Sequence, residues 1–315
     1  MEIREAEDRD IDGIMELFKI CFGRELSLKE YEWKYKHSPW GSTAAIAIDD
    51  GNVIAHYGGI RTKFYFKGRT YEAFQPCDVM THPKYRARIF SKRGAMVRAA
   101  ELFYEINPMD FAFGFPSERH AVLGTKQLGY TRHRFVTLLR KKVQKSRILT
   151  PLFKIETGWE YVKRLELDVL WDKVKDNQGL SIVKHSDYIL WRYRNNPSKH
   201  YIPVIVRDRI KRGDIKAFAI CSIGEKEISI MDLFFVNTSA LTFLLKSLEN
   251  ISLKKGLDAV TLWMNPYEES FRCLLSYGFT TEEGVPNLFK ILNNEITPEF
   301  LNEKYSYRMG DYDAA

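Results

Sequence analysis

The sequence is poor in the features that would tie it to a metal, an oxidising compartment or a membrane. Its four cysteines, Cys21, Cys77, Cys221 and Cys273, are widely spaced and form no C-x-x-C pair, which argues against a zinc site and against a disulfide framework. No apolar run approaches the roughly 18 residues of a membrane-spanning helix. The opening stretch MEIREAEDRDIDG is acidic and lacks the apolar segment of a secretion signal. These absences predict a cytoplasmic protein with no metal and no membrane partner.

The composition lacks any sign of disorder. Hydrophobic residues make up 45% and charged residues 28% of 315, ordinary for a globular chain and long enough for two domains of about 100–200 residues each. The net charge of +7 is unevenly spread. Lys84, Arg86, Arg88, Lys92, Arg93 and Arg98 crowd one window, and Arg140, Lys141, Lys142, Lys145 and Arg147 another. The second run reads as solvated surface. An anionic small ligand or nucleic acid is the alternative for such patches.

What stands out is a repetition. WKYKHSP, Trp33 to Pro39, returns as WRYRNNP, Trp191 to Pro197, 158 residues later. Two further anchors recur in the same order. Cys77-Asp78-Val79 pairs with Met231-Asp232-Leu233, and Phe115-Pro116 followed by Leu128-Gly129-Tyr130 pairs with Asn265-Pro266 followed by Tyr277-Gly278-Phe279. Three anchors nearly in register indicate an internal duplication.

The elements between the anchors agree. Residues 8–22 carry a helical apolar pattern, and hairpins turn at Asp50-Gly51 and Lys67-Gly68. A helix follows from Ser91 to Ile106, then a strand at 110–115, a helix at 116–127 and a last strand at 132–139. The second half repeats this, with strands at 201–207, 215–220 and 227–235, a helix at 241–252, a strand at 259–264, and a helix opened by Asn265 as N-cap and Pro266 as first helical residue. The predicted fold class is α/β (α+β). It has two domains at 1–145 and 181–315, each a mixed, mostly antiparallel sheet flanked by helices, and a connector at 146–180 that is helical over 159–174.

This layout resembles the GNAT N-acetyltransferase superfamily in tandem form. The closest local similarity is Val79-Met80-Thr81-His82-Pro83-Lys84-Tyr85-Arg86, which is similar to the stretch where the family's fourth strand ends and its pyrophosphate loop begins. Phe113-Gly114-Phe115-Pro116 and Leu128-Gly129-Tyr130 resemble its fifth strand and the helix exit. The resemblance implies an acetyl-CoA site between splayed fourth and fifth strands, contacted by Val79, Met80, Thr81, Arg86, Ala87, Arg88, Ile89, Phe90 and Ser91. A loop at 86–91 that leads into a helix would supply converging N–H groups, and flanking cations would meet the phosphates. The sequence departs from the family in that loop, because Ile89 stands where the family has glycine, and a β-branched residue disfavours positive φ. In the second half the matching stretch, Val236 to Leu241, has neither glycine nor a basic residue, so no cofactor site is expected there.

Acyl transfer to an amine needs a proton acceptor and a proton donor. Asp78, a carboxylate in an apolar strand, and His120, in the first turn after Phe115-Pro116, are the candidate catalytic residues. Asp78 has an equally direct structural reading as a hydrogen-bonded anchor, since Asp232 sits at the matching place. His120 also reads as a solvated helix residue, Tyr130 as core packing, and the two W-x-Y-x-x-x-P segments as packing anchors. The expected function is an N-acyltransferase that moves an acetyl group from acetyl-CoA to a small amine, such as an amino sugar, with nucleic acid disfavoured as a partner. The alternatives are a non-catalytic binding protein on the same fold and a transferase that uses aminoacyl-tRNA.

Overall fold

The computed structural model describes residues 1–88, 94–145, 152–210 and 213–312. They divide into two compact units. The first is Met1–Phe64, Thr70–Arg134 and Val285–Pro298, and the second is Tyr65–Arg69, Phe135–Gly284 and Glu299–Ala315.

The first unit begins with β1 (Glu2–Glu5), α1 (Ile11–Phe22), α2 (Leu28–Tyr35), β2 (Ser42–Asp49), β3 (Asn52–Phe66) and β4 (Arg69–Thr81). It continues with α3 (Ala95–Ile106), β5 (Phe111–Gly114), α4 (Glu118–Gln127) and β6 (Thr131–Arg132). The two hairpins close where the turn chemistry predicts. Asp50 and Gly51 have φ of 47° and 77°, and Lys67 and Gly68 have 45° and 86°, the positive pair that a two-residue hairpin requires. Helix α3 lays Ala95, Met96, Ala99, Ala100 and Phe103 on a sheet face of small residues, including Ala45, Ala47 and Ala55. The fit is tight at Gly59, where a Cβ would stand 2.4 Å from Phe103 Cζ. Gly59→Ala is therefore expected to overpack this contact and lower stability by about 1–3 kcal/mol, read as a drop in thermal midpoint that Phe103→Leu partly reverses.

The second unit holds β7 (Thr137–Lys142), β8 (Phe153–Thr157), α5 (Arg164–Val174), β9 (Ser181–Ile182), α6 (Ser186–Ile189), β10 (Ile202–Asp208), β11 (Ile215–Ile223) and β12 (Glu227–Phe235). It continues with α7 (Thr238–Lys254), β13 (Ala259–Trp263), α8 (Glu269–Ser276) and β14 (Thr280–Glu283). Its sheet runs β14-β7-β13-β12-β11-β10-β8. Leu241, Leu244, Leu245 and Leu248 of α7 pack on Val204, Ala217, Ala219 and Ile230.

The chain then returns to the first unit as β15 (Leu288–Ile291), whose sheet runs β1-β2-β3-β4-β5-β15-β6. The division therefore differs from contiguous halves at 145 and 180. Strand β7, from the end of the first half, pairs antiparallel with β13 of the second sheet. Strand β15, from the second half, pairs antiparallel with β5 of the first. The expected strand at 132–139 is two strands, and the expected helical connector contains β8, paired with β10.

Local patterning cannot show this exchange, because an alternating strand has the same sequence signature whichever sheet it joins. The second basic run is solvated at Lys142 and Lys145, which are exposed, and corrected at Arg140 and Lys141. Its first three residues belong to β7, where Arg140 pairs with Glu227 and Glu282, and Lys141, 9% exposed, pairs with Glu249 at 3.0 Å. Arg147 lies outside the described residues. No described helix is long and apolar enough to cross a membrane.

Candidate active site

Strands β4 and β5 run parallel through the register pairs Ala73–Phe111 and Phe74–Ala112. Strand β4 then runs on to Thr81, while β5 ends at Gly114 and gives way to α4. The two ends enclose a wedge. A Cβ built on Gly114 would meet no atom of a described residue within 4 Å, so among the described residues the wedge is open at that point.

On the wedge side, β4 is kinked at Asp78, whose φ is 49°. Such a conformation costs a non-glycine residue roughly 1–3 kcal/mol and persists only where the surroundings over-determine it. Lys34 Nζ donates to both carboxylate oxygens, at 2.9 and 3.0 Å, and Tyr35 Oη donates to Oδ2 at 2.8 Å. His56 Nδ1 lies 2.8 Å from the Asp78 carbonyl oxygen. That oxygen can only accept, so the proton is on Nδ1 and Nε2 keeps its lone pair. Burial pushes the Asp78 carboxyl up, but the Lys34 charge and hydrogen bonds, with His56 and Tyr35, outweigh it and hold the group below the usual carboxylate range. A carboxylate so engaged is a poor proton acceptor, and the geometry favours the anchoring reading of Asp78.

The second unit repeats the arrangement. Tyr193 donates to Asp232 Oδ2, and Lys184 pairs with the same carboxylate, which is fully buried. Tyr35 and Tyr193 are the tyrosines of the two W-x-Y-x-x-x-P segments. Sequence reading found these segments and the strand aspartates as separate repeats and missed that they bond to each other. The signal available was that both recur with nearly the same offset.

His56 also escaped the sequence reading. It is buried, and burial depresses its pKa from 6.5 despite the opposing pull of Asp78. The unfolded chain thus binds a proton that the folded chain rejects, and stability is lost as pH falls through and below the ordinary histidine value. Chemical denaturation at pH 7.5 and 5.5 is expected to show a smaller difference in His56→Gln than in the parent chain.

The rim of the wedge gathers Thr81, Arg86 and His120. Arg86 Nε donates to the Thr81 carbonyl at 2.9 Å, and the Cys21 thiol to the same oxygen at 3.4 Å. Thr81 Oγ1 is buried and has no hydrogen-bond partner among the described residues. His120, in the first turn of α4, sets Nδ1 3.0 Å from Ser117 Oγ. Its surface is exposed, yet enough protein surrounds it that desolvation, followed by Arg119 and Arg86, lowers its pKa.

Val79 packs against the core of the first unit, and Met80 is buried, so these two residues offer a ligand their peptide groups. Ala87 and Arg88 lie in the turn Pro83–Arg88. Ile89, Phe90 and Ser91 lie outside the described residues, and α3 starts at Ala95 rather than at 91, with Gly94 as N-cap. Tyr130 is buried and hydrogen-bonded at 2.6 Å to Tyr104, which bonds Tyr57 at the same distance. Among the described residues no cluster of three or more histidine, cysteine, aspartate or glutamate side chains could hold a metal.

Residues 2–132 match the family model described as an acetyltransferase (GNAT) domain. No curated protein matches the chain. Among solved structures, a probable N-acyltransferase from Enterococcus faecalis V583, itself titled a conserved protein of unknown function, superposes with a TM-score of 0.71 at 11% identity, over 96% of this chain and 75% of that one. A GCN5-related N-acetyltransferase from Anabaena variabilis gives 0.69 at 14% identity, over 92% and 73%. Eis1 from Mycobacterium abscessus gives 0.62 at 14%, over 93% and 74%. At these identities the likeness establishes the fold, two tandem GNAT-like domains.

Proposed function

We propose that this chain, whose residues 2–132 form a GNAT domain, moves an acetyl group from acetyl-CoA to a small primary amine. The observation that carries the reading is the wedge of the first unit, open among the described residues, with a polar atom that has no partner among them, a cation and an imidazole at its rim. These groups fit the donor. Thr81 Oγ1 and the peptide groups of Val79, Met80 and Thr81 would meet its amide-bearing arm. Arg86 and the Pro83–Arg88 turn would meet its phosphates. When bound, acetyl-CoA supplies a thioester carbonyl and a thiolate leaving group.

The chain's own task is to manage the proton. A primary amine arrives as ammonium at neutral pH and must lose a proton before it can attack. His120 is suited to take it. In the tautomer that donates Nδ1–H to Ser117 Oγ, Nε2 is the basic nitrogen, and the lowered pKa favours its unprotonated form at neutral pH. Asp78 fixes the kink of β4 and thereby the peptide groups beyond it. The competing reading, a non-catalytic protein on the same fold, draws on Ile89 in place of the family glycine.

Thiol release from acetyl-CoA across a panel of small amines, amino sugars included, decides between them. His120→Ala is expected to lower kcat/KM by about 10²–10⁴-fold, the usual contribution of a positioned base. In the parent chain kcat/KM should stay level through neutral pH and fall in acid, with a midpoint below the ordinary histidine value of 6.5. Absence of turnover with every amine, or turnover indifferent to His120→Ala, contradicts the proposal.

A further inference from the structure

The second unit has the corresponding wedge, between β12 and β13. These strands pair in parallel from Glu227–Ala259 to Ile230–Leu262, after which β12 runs on to Phe235. This wedge is filled by residues 305–312 of the same unit. Arg192 Nε donates to the Gly310 carbonyl at 2.8 Å, and its other arm donates to the Tyr312 carbonyl. Lys184 reaches Asp311 at 2.7 Å while it holds Asp232. Arg308 grips Glu268, just before α8, with two bonds of 2.7 and 2.6 Å. Tyr312 stacks on Trp263 at the end of β13, with ring centroids 6.0 Å apart.

The closeness of fit is greatest at Gly310. A Cβ there would stand 1.8 Å from Tyr193 Oη and 3.0 Å from the Met231 carbonyl, so only glycine passes. The contrast with Gly114, which meets no described residue within 4 Å in the first unit, is direct. So is the change within the repeat. By the 158-residue offset Arg192 is the counterpart of Lys34. Lys34 holds the strand aspartate of its own unit, whereas Arg192 has turned to the carbonyls of 310 and 312, leaving Asp232 to Lys184.

We infer that residues 305–312 are an internal ligand of the second unit, seated in the wedge that in the first unit takes the acyl donor. Among the described residues, one wedge of the two is therefore left for an acyl donor, and the second is a peptide-binding crevice already in use. The comparison of the two wedges rests on the function proposed above, but the occupancy of the second does not.

Hydrogen–deuterium exchange on the full chain tests the inference. Amides of 305–312 are expected to exchange as slowly as those of β12. Tyr312→Ala removes the stacked ring without introducing a clash, and Gly310→Ala introduces one. Each is expected to speed exchange in 305–312 and at Met231–Leu233, by about tenfold for Tyr312→Ala, the upper end of what loss of an aromatic pair gives, and by at least as much for the overpacked Gly310→Ala, while residues 1–88 stay unchanged. Saturating acetyl-CoA should slow exchange in the first unit and leave 305–312 as it was. Exchange of 305–312 at the rate of an unstructured peptide in the parent chain overturns the inference, and so does acceleration there on addition of acetyl-CoA. If acetyl-CoA changes nothing anywhere, the donor-site reading fails, and the Tyr312→Ala comparison still decides whether the segment occupies the wedge.

Discussion

Lys184→Met is expected to destabilise the second unit by about 3–5 kcal/mol, the cost of leaving buried charge without its partner. Lys184 is 3% exposed and is the shared ammonium of Asp232 and Asp311, at 0% and 1%. Burial already raises the Asp232 pKa, with Lys184 opposing and Asp311 reinforcing the rise. Loss of the lysine raises it further. A group whose folded pKa lies above its unfolded value stabilises the fold in acid and loses that contribution as pH rises. The loss in Lys184→Met should therefore be smaller at pH 5 than at pH 8. Adding Asp232→Asn to Lys184→Met should recover part of it. Equal destabilisation at both pH values would show that the pair is not charged as described.

Lys34→Met is the matching experiment in the first unit, with an expected loss of the same order, since Lys34 and Asp78 are each 8% exposed at the side chain. Here a second substitution separates the two roles of Asp78. Glycine adopts the positive φ of this position at no steric cost, so Lys34→Met with Asp78→Gly keeps the kink and removes both charges. If Asp78 acts by shaping β4, the double variant regains stability and acetyl transfer over Lys34→Met alone. If Asp78 takes the proton itself, stability returns and transfer does not.

Much of the fold was legible in the sequence because its signals are local. The Asp50-Gly51 and Lys67-Gly68 turns, the apolar face of α3 and the three repeated anchors each follow from short stretches read alone. What could not be read was long-range pairing. Strands β7 and β15 carry ordinary strand patterns, and nothing within them names the sheet they join. Lys141 looked like solvated charge because its partner Glu249 lies 108 residues away. For the site, the sequence named Asp78, Arg86 and His120, and the structure brings Arg86 and His120 to one rim. It did not show that Tyr35, Lys34 and His56 hold Asp78, since those contacts join a helix and two strands. The loop residues Ile89, Phe90 and Ser91 lie outside the described residues and keep the standing of a family resemblance.

The most direct test of the account is a calorimetric titration of acetyl-CoA into the full chain, repeated with Arg86→Ala and Tyr312→Ala. One site per chain is expected, weakened by Arg86→Ala and untouched by Tyr312→Ala. Two sites, or no binding at millimolar acetyl-CoA, would contradict it.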